Sequence, residues 1–210
     1  MTAADGGPGV LGVSGMAIGT VDAEITQTRV TLMKPGAIVL ARHGEPALSR
    51  RVKLNAAGYR DWWARYEEGG LLEGQTPPEL LKLTASNAHV ILASTRRRSI
   101  ETARAVAGDK SVIQDAQFIE APLPPPNLPS WLKFSPRTWG VIARFWWWAF
   151  NHHEGQETKT EAKARAHRAA VGLIEMADDG RDVLLLAHGY FNHMIGTERR
   201  TRRRACAGWG

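Results

Sequence analysis

The sequence predicts an α/β protein with a largely parallel central sheet. Two observations predict this class. First, short apolar segments of strand length, such as 89–94 and 181–187, alternate with longer segments whose apolar residues recur at helical spacing. Second, the runs "VILA" and "VLLLA" in those two segments are apolar throughout, which is typical of strands that a parallel sheet buries on both faces.

Residues 1–33 differ from the rest of the chain. They are rich in glycine and small residues and show no helical or alternating period, so we expect a disordered N-terminal extension. The ordered domain is expected over 34–210. Met33 directly precedes "KPGAIVL" and is interpreted as the natural start of the protein, a hypothesis that N-terminal sequencing of the native protein would test.

The remaining elements are assigned from apolar spacing and from the residues that begin and end each segment. The first strand is expected in "AIVLA", directly before Arg42. In the longest helix, Thr158 and Glu161 suit a capping box, and Gly180 suits a C-terminal cap. The expected helices cover 54–70, 76–86, 96–108, 137–151, 158–180 and 192–200, and the other strands cover 89–94, one or two segments within 111–129 ahead of a proline-rich loop, and 181–187.

The composition is that of a globular domain with an ordinary core. Of the 210 residues, 43% are hydrophobic and 23% are charged, and a chain of this length forms one domain. No apolar run approaches the roughly 18 residues that a membrane-spanning helix needs, so no membrane association is expected. Cys206 is the single cysteine, which excludes an internal disulfide and favours a reducing compartment. The start also lacks the pattern of a secretion signal, and we expect a cytoplasmic protein.

The formal net charge of +6 favours anionic partners in general. Five arginines, however, lie within the seven residues 198–204, so the excess belongs to one end of the chain. Because no stacking motif or recognition helix accompanies this cluster, nucleic-acid binding is not expected. The sequence leaves the oligomeric state open.

Polar groups of matching kinds follow several predicted strands. "IVLA" leads into Arg42 and His43, "VILAS" leads to the arginines 96–98, and "LLLA" leads into His188. A possible fourth strand, "FIE", ends at Glu120. Ligands of parallel sheets bind beyond the carboxyl ends of the strands, so these groups are expected at one rim. Arginines bind phosphoryl oxygens, a neutral imidazole can attack phosphorus, and a carboxylic acid can protonate the departing oxygen.

The segments "LARHGEP", "ASTRRRSIETA" and "LLLAHG" resemble the three signature segments of the histidine phosphatase superfamily, also called the phosphoglycerate mutase-like family. They occur in the family's order and spacing, and the resemblance spans about 35–197. It implies a three-layer Rossmann-like fold in which helices flank a mostly parallel central sheet. It also implies that the protein is an enzyme that needs no metal or other cofactor.

The resemblance assigns roles by position. His43 is expected to be the nucleophile, with Arg42 binding phosphate from the same turn. The family's second arginine lies four residues before a Thr-Ala pair, which selects Arg98 over its two neighbours. His188 is expected to bind the phosphoryl oxygens and to stabilise the transition state. One branch of the family places a glutamate after the second arginine, so Glu120 is expected to be the general acid; its nearest rivals are Glu154 and Glu157.

The expected activity is hydrolysis of phosphomonoesters, or of phosphohistidine, through a phosphohistidine intermediate. The partner would be a small phosphorylated substrate. The mutase branch usually has Ser or Thr and then Asn where this chain has Pro46 and Ser49, which favours a hydrolase. The alternatives are a phosphoglycerate mutase-type phosphotransferase and a non-catalytic member that acts as a binding or regulatory module.

The run "RFWWWAF" (144–150) has several interpretations. Three successive tryptophans on a helix cannot all face one core, so at least one is expected to be exposed or to cover a loop. The aromatic residues could also form an apolar wall of the pocket that selects an apolar or aromatic leaving group, or a dimer contact.

Overall fold

The computed structural model describes residues 34–207, and it describes side chains over 34–199. The predictions for 1–33, including the start at Met33, lie outside the described residues. None of the described helices is long and apolar enough to cross a membrane. The cytoplasmic location stays a prediction.

The described residues form four strands, six helices and one short 3-10 turn over Ala116–Phe118. The strands are β1 (Ile38–Arg42), β2 (Val90–Ser94), β3 (Val112–Asp115) and β4 (Val183–Ala187). The helices are α1 (Ala56–Glu68), α2 (Glu79–Asn87), α3 (Arg97–Ala107), α4 (Pro136–Phe150), α5 (Lys159–Ala177) and α6 (Gly189–Ala207).

The strands form one sheet in the order β1-β4-β2-β3, and all three pairings are parallel. The prediction of an α/β fold with a mostly parallel sheet is therefore confirmed. In the register of β1 with β4, Arg42 lies opposite Ala187. The residues that follow, His43 and His188, consequently leave the sheet side by side, although 145 positions separate them in sequence.

Helices cover both faces of the sheet and make the three layers that the sequence predicts. Leu185 and Phe191 belong to a core cluster under α5 and α6, whereas Leu184 and Leu186 belong to a second cluster under α2 and α3. Neighbouring leucines of β4 thus face opposite layers, and each contributes about 1.5–3 kcal/mol by burial. This two-sided burial explains why the strand sequence is apolar at every position.

A third cluster joins α1 to α4 through aromatic rings. Tyr59 stacks on Trp62 and on Trp139, with ring centroids 5.9 and 5.7 Å apart. Trp62 Nε1 donates to the Ser49 carbonyl at 3.0 Å, so its polar atom is satisfied although the ring is buried. This cluster holds α4 beside the loops that follow the strands.

Several element boundaries differ from the predictions; α2, for example, begins at Glu79 rather than at 76. "FIE" is not a strand: the Asp115 carboxylate accepts a hydrogen bond from the Gln117 N–H at 2.8 Å, and the chain turns after β3. Helix α5 begins with the predicted capping box but ends at Ala177, and Gly180, with a φ of 86°, closes the turn beyond it. Helix α6 begins at Gly189, three residues earlier than predicted.

Candidate active site

His43 lies directly after β1 and is 6% exposed. Its backbone N–H donates to the Ala187 carbonyl at 3.0 Å, which extends the sheet by one step. Its Nδ1 lies 2.7 Å from the Gly44 carbonyl oxygen. Since a carbonyl only accepts, Nδ1 carries the proton and Nε2 presents a lone pair. Burial, with smaller contributions from Arg98 and Arg42, lowers the pKa of His43 to about 3, so the ring is neutral at neutral pH.

Gly44 lies at this turn directly beside the end of another side chain. A Cβ at position 44 would lie 2.6 Å from the Gln75 Oε1. That oxygen accepts the Glu45 N–H at 2.8 Å, and the Gly44 N–H donates to Thr102 Oγ1 at 3.0 Å. The turn that carries His43 is therefore fixed from two sides.

Arg98 is 1% exposed and bridges the two histidines. Its Nε donates to His43 Nε2 at 3.2 Å, and its Nη2 donates to His188 Nδ1 at 3.4 Å. The neighbouring arginines have carboxylate partners: Arg96 pairs at 2.8 Å with Glu67, which also binds Arg98, and Arg97 pairs with Glu101 at 2.7 Å.

Glu67, at the end of α1, holds Arg98 in place. Its Oε1 accepts from Arg98 Nη2 at 2.7 Å, and the backbone carbonyls of Tyr66 and Glu67 accept from Nη1 at 2.8 and 3.3 Å. The Arg98 guanidinium also lies 4.5 Å from the centre of the Tyr66 ring. The sequence singled out no role for Glu67, because one glutamate at a helix end carries no local signal of a buried partner.

His188 lies directly after β4 and is 1% exposed. Its ring centroid is 5.2 Å from that of His43. Nε2 lies 2.8 Å from Ser94 Oγ at the end of β2, and because Arg98 donates to Nδ1, the proton is on Nε2. Burial, followed by Arg98 and His43, lowers the pKa of His188 to about 2. This ring is also neutral at neutral pH.

His43, Arg98 and His188 line one cavity of about 150 Å³, which Arg42 and Glu120 also line. Arg42 is exposed on the side of the cavity that faces solvent. The structure therefore brings together all five residues that the sequence singled out. The lining that the sequence did not single out consists mainly of aromatic and cationic side chains: Tyr59, Trp62, Trp63, Tyr66, Arg50 and Arg137.

Glu120 follows the 3-10 turn and faces the start of α6. One carboxylate oxygen accepts the Ala121 and Phe191 N–H groups at 3.1 and 3.0 Å, and the other accepts that of Tyr190 at 3.2 Å. Burial raises the pKa of Glu120, while the Arg144 guanidinium, 4.0 Å away, and these N–H groups oppose the rise.

The two rival carboxylates are engaged elsewhere. Glu154 pairs with Arg60 at 2.5 Å, and Glu157 pairs with Arg165 at 2.6 Å. Neither is among the described residues that line the cavity of His43. Within 34–199, no group of three or more His, Cys, Asp or Glu side chains is arranged to hold a metal ion.

Comparison with known proteins gave one family and several solved structures. The family model described as the histidine phosphatase superfamily (branch 1) matches residues 38–199. No curated protein matched the chain in sequence.

Two of the similar solved structures illustrate the likeness. One is the product of an open reading frame from Mycobacterium tuberculosis, with a TM-score of 0.50 and 20% identity over 77% of this chain and 78% of that chain. Another is a phosphoserine phosphatase from Entamoeba histolytica in complex with 3-phosphoglyceric acid, with a TM-score of 0.51 and 16% identity over the same shares, 77% and 78%. At these identities the likeness shows a shared fold.

Proposed function

The chain belongs to the histidine phosphatase superfamily, and from this premise we propose that it is a metal-independent phosphatase acting on phosphomonoesters. The observation that carries the proposal is the geometry of His43. Its Nε2 lone pair faces the catalytic cavity, and its only hydrogen-bond donor among the described residues is Arg98. A neutral, oriented imidazole beside a fixed guanidinium is suited to attack phosphorus.

Substrate binding would use the Arg98 N–H groups that are hydrogen-bonded to the two histidine rings in the free protein. Arg98 Nε and Nη2 each aim one N–H at a histidine lone pair. A phosphoryl group placed between the rings would accept these N–H groups through its oxygens, which frees His43 Nε2 for attack. Charge-assisted hydrogen bonds of this kind contribute about 1.5–3 kcal/mol each. Arg42 would add a further cation from the solvent side.

The first step would transfer the phosphoryl group to His43. A bond forms between Nε2 and phosphorus while the bond between phosphorus and the ester oxygen breaks. Glu120, which burial keeps protonated to a higher pH than a free carboxyl, would give its proton to that departing oxygen. The alcohol then leaves, and His43 carries the phosphoryl group.

The second step would hydrolyse the phosphohistidine. The Glu120 carboxylate would take a proton from water, the water oxygen bonds to phosphorus, and the bond to Nε2 breaks. Inorganic phosphate leaves, and Glu120 is again protonated. His188 would stabilise the phosphoryl oxygens in both steps. In the free protein the His188 proton is on Nε2, so the ring must carry it on Nδ1 instead in order to donate to a phosphoryl oxygen. Ser94 Oγ, 2.8 Å from Nε2, is compatible with both states, because a hydroxyl can donate to Nε2 as readily as it accepts from it.

The test is a screen of phosphomonoesters in the presence of a chelator, with His43→Ala as the matched variant. We expect hydrolysis by the wild type and none above background by the variant. Acid-labile, base-stable label from a phosphorylated substrate should be trapped on the wild type alone. Hydrolysis by His43→Ala at the wild-type rate would refute the mechanism, and transfer between phosphoglycerates in a coupled assay would instead favour a mutase.

A further inference from the structure

The outer face of α4 carries large apolar side chains that the core does not use. Val141, Phe145 and Trp148 are 67%, 51% and 58% exposed, whereas Trp147 is fully buried. Together with Leu123 and Tyr190, the three exposed side chains line a groove of about 590 Å³, which we call the α4 groove. The expectation that at least one tryptophan of this run is exposed is confirmed by Trp148.

The α4 groove adjoins the cavity of His43 and shares lining residues with it. Glu120, Leu123, Arg137 and Gly140 line both spaces, so the residue proposed as the acid lies at their junction. The alcohol side of a bound phosphomonoester must face the group that protonates it. The groove therefore begins where the leaving group would emerge from the cavity.

Gly140 keeps this junction open. A Cβ built at position 140 would approach only one atom, Tyr59 Oη at 3.9 Å, so the space beside the helix is free. A glycine within a helix costs about 1 kcal/mol relative to alanine. Any larger side chain at this position would project between the cavity and the groove.

Two buried polar atoms near the junction have no partner among the described residues. They are Tyr59 Oη, on the cavity side, and Arg144 Nη1, on the groove side. Burial raises the pKa of Tyr59, and the nearby Arg144 guanidinium opposes that rise, so the two groups lie within electrostatic reach of each other. Buried polar atoms are nearly always hydrogen-bonded to protein, water or a ligand, so both atoms are available to an acceptor that lies near the junction.

We propose that the α4 groove binds the alcohol part of the substrate, which is a phosphomonoester of a large apolar or aromatic alcohol. This inference rests on the proposed function and adds the substrate class. A hydrogen-bond acceptor near the ester would meet Tyr59 and Arg144, and the apolar remainder would lie along Phe145 and Trp148.

A second copy of the chain is a poorer occupant of this groove. A two-fold contact would bring like surfaces together, with Arg137 and Arg144 of one copy near those of the other. Those cations suit an anionic substrate better than an identical basic face. A phosphate ester also reaches the cavity through the junction, which a folded chain of this size does not enter.

The test compares 2-naphthyl and decyl phosphate with ethyl phosphate and phosphoserine. We expect kcat/KM for the bulky esters to exceed that for the small ones by at least about tenfold, since burial of roughly 60 Å² of apolar surface suffices for that factor. Gly140→Leu should lower the ratio of bulky to small substrates about tenfold by closing the junction. Gly140→Ala is the matched control and should keep the ratio within about twofold, because its Cβ fits the open space.

Trp148→Ala is a second variant that removes part of the groove wall, and it should lower the same ratio about threefold. Its control is Trp131→Ala, a tryptophan that is 76% exposed and lines neither space, and which should leave the ratio unchanged. Hydrolysis of small phosphates without preference for bulky ones would overturn this inference and leave the proposed function standing. A dimer that Trp148→Ala dissociates, with an unchanged ratio, would overturn it in favour of a second copy. Failure of all phosphates would instead refute the proposed function.

Discussion

The two sides of the cavity that His43 lines differ in how their polar groups are bonded. On the sheet side, Arg98 has five N–H groups, and its hydrogen bonds reach His43, His188, the Glu67 carboxylate and two backbone carbonyls, so each N–H has an acceptor. On the α4 side, Tyr59 Oη and Arg144 Nη1 are buried and have no hydrogen-bond partner within the described part of the chain, and apolar rings face solvent.

Under the proposed function, the sheet side would carry out the reaction and the α4 side would select the substrate. Glu67 and two backbone carbonyls hold the Arg98 guanidinium in place, so the two N–H groups that point at the histidines could turn to a phosphoryl group with little movement of the side chain, which would suit the group common to all phosphomonoesters. An open apolar wall gains binding energy only from the part of a substrate that covers it. Changes on the sheet side should therefore affect every substrate, and changes on the α4 side should affect some substrates more than others.

The largest expected effect lies on the sheet side. Arg98→Lys should lower kcat/KM about a thousandfold for small and bulky phosphates alike, because a single ammonium cannot reproduce the planar set of donors. Steady-state kinetics with ethyl and naphthyl phosphate would measure this. Arg97→Lys is the control, since Arg97 is exposed and pairs with Glu101 outside the cavity. Equal losses in both variants would contradict the assigned roles.

Glu120 stands at the border of the two sides, and its effect should depend on the leaving group. Glu120→Gln should lower kcat/KM about a hundredfold for alkyl phosphates, whose alkoxides need a proton, and less than about tenfold for p-nitrophenyl phosphate. Glu157→Gln, which alters a carboxylate paired with Arg165, should show no such dependence. A uniform loss across leaving groups would exclude Glu120 as the acid.

The buried rings of His43 and His188 predict a pH dependence of stability. Their pKa values in the folded protein are about 3 and about 2, below the value near 6.5 in the unfolded chain. Below pH 6.5 the unfolded chain therefore binds more protons, and the free energy of unfolding should fall as the pH is lowered from 6.5 toward 5. The slope is at most about 1.4 kcal/mol per pH unit for each ring.

Urea unfolding at several pH values would measure this slope. His188→Asn should flatten it, whereas His193→Asn, which replaces an exposed histidine, should leave it unchanged. An equal slope in the wild type and His188→Asn would show that the buried ring is not responsible.

The smallest expected effect is on the free energy of unfolding when one glycine from each side is replaced by alanine. Gly140→Ala should raise the free energy of unfolding by about 0.5–1 kcal/mol, because it adds helix propensity in open space. Gly44→Ala should lower it, because its Cβ would displace the Gln75 amide from Glu45. Thermal or urea unfolding would give both values, and the same sign for both would remove this contrast between the two sides.

The sheet side was largely predictable from the sequence. Strands that end in Arg42-His43 and His188 meet at one rim because parallel strands share their carboxyl edge, and the resemblance to the family, with its arginine four residues before a Thr-Ala pair, singled out Arg98. The strand prediction for "FIE" was wrong, because the Asp115 side chain turns the chain just before it. Local apolarity does not reveal such a competing hydrogen bond.

The α4 side was predictable only in outline. Helical spacing indicated that the aromatic residues of α1 and α4 pack, but not which of them face the cavity, because that depends on how the two helices meet. The role of Glu67 depends on a contact across 31 positions. At Gly140 the informative feature is the lack of a side chain. Its effect can be recognised only from the structure, in which Gly140 lines both the cavity and the α4 groove.

The hydrogen bond from His43 Nδ1 to the Gly44 carbonyl would affect the lifetime of the proposed phosphohistidine. If Nε2 bonds to phosphorus, the ring keeps its Nδ1 proton and becomes a cation, which the carbonyl dipole would stabilise. Cleavage of the bond to phosphorus then releases neutral imidazole, which is a far better leaving group than imidazolate. In the proposed mechanism the turn after β1 would therefore help to set how long the phosphoryl group stays on His43 before water removes it.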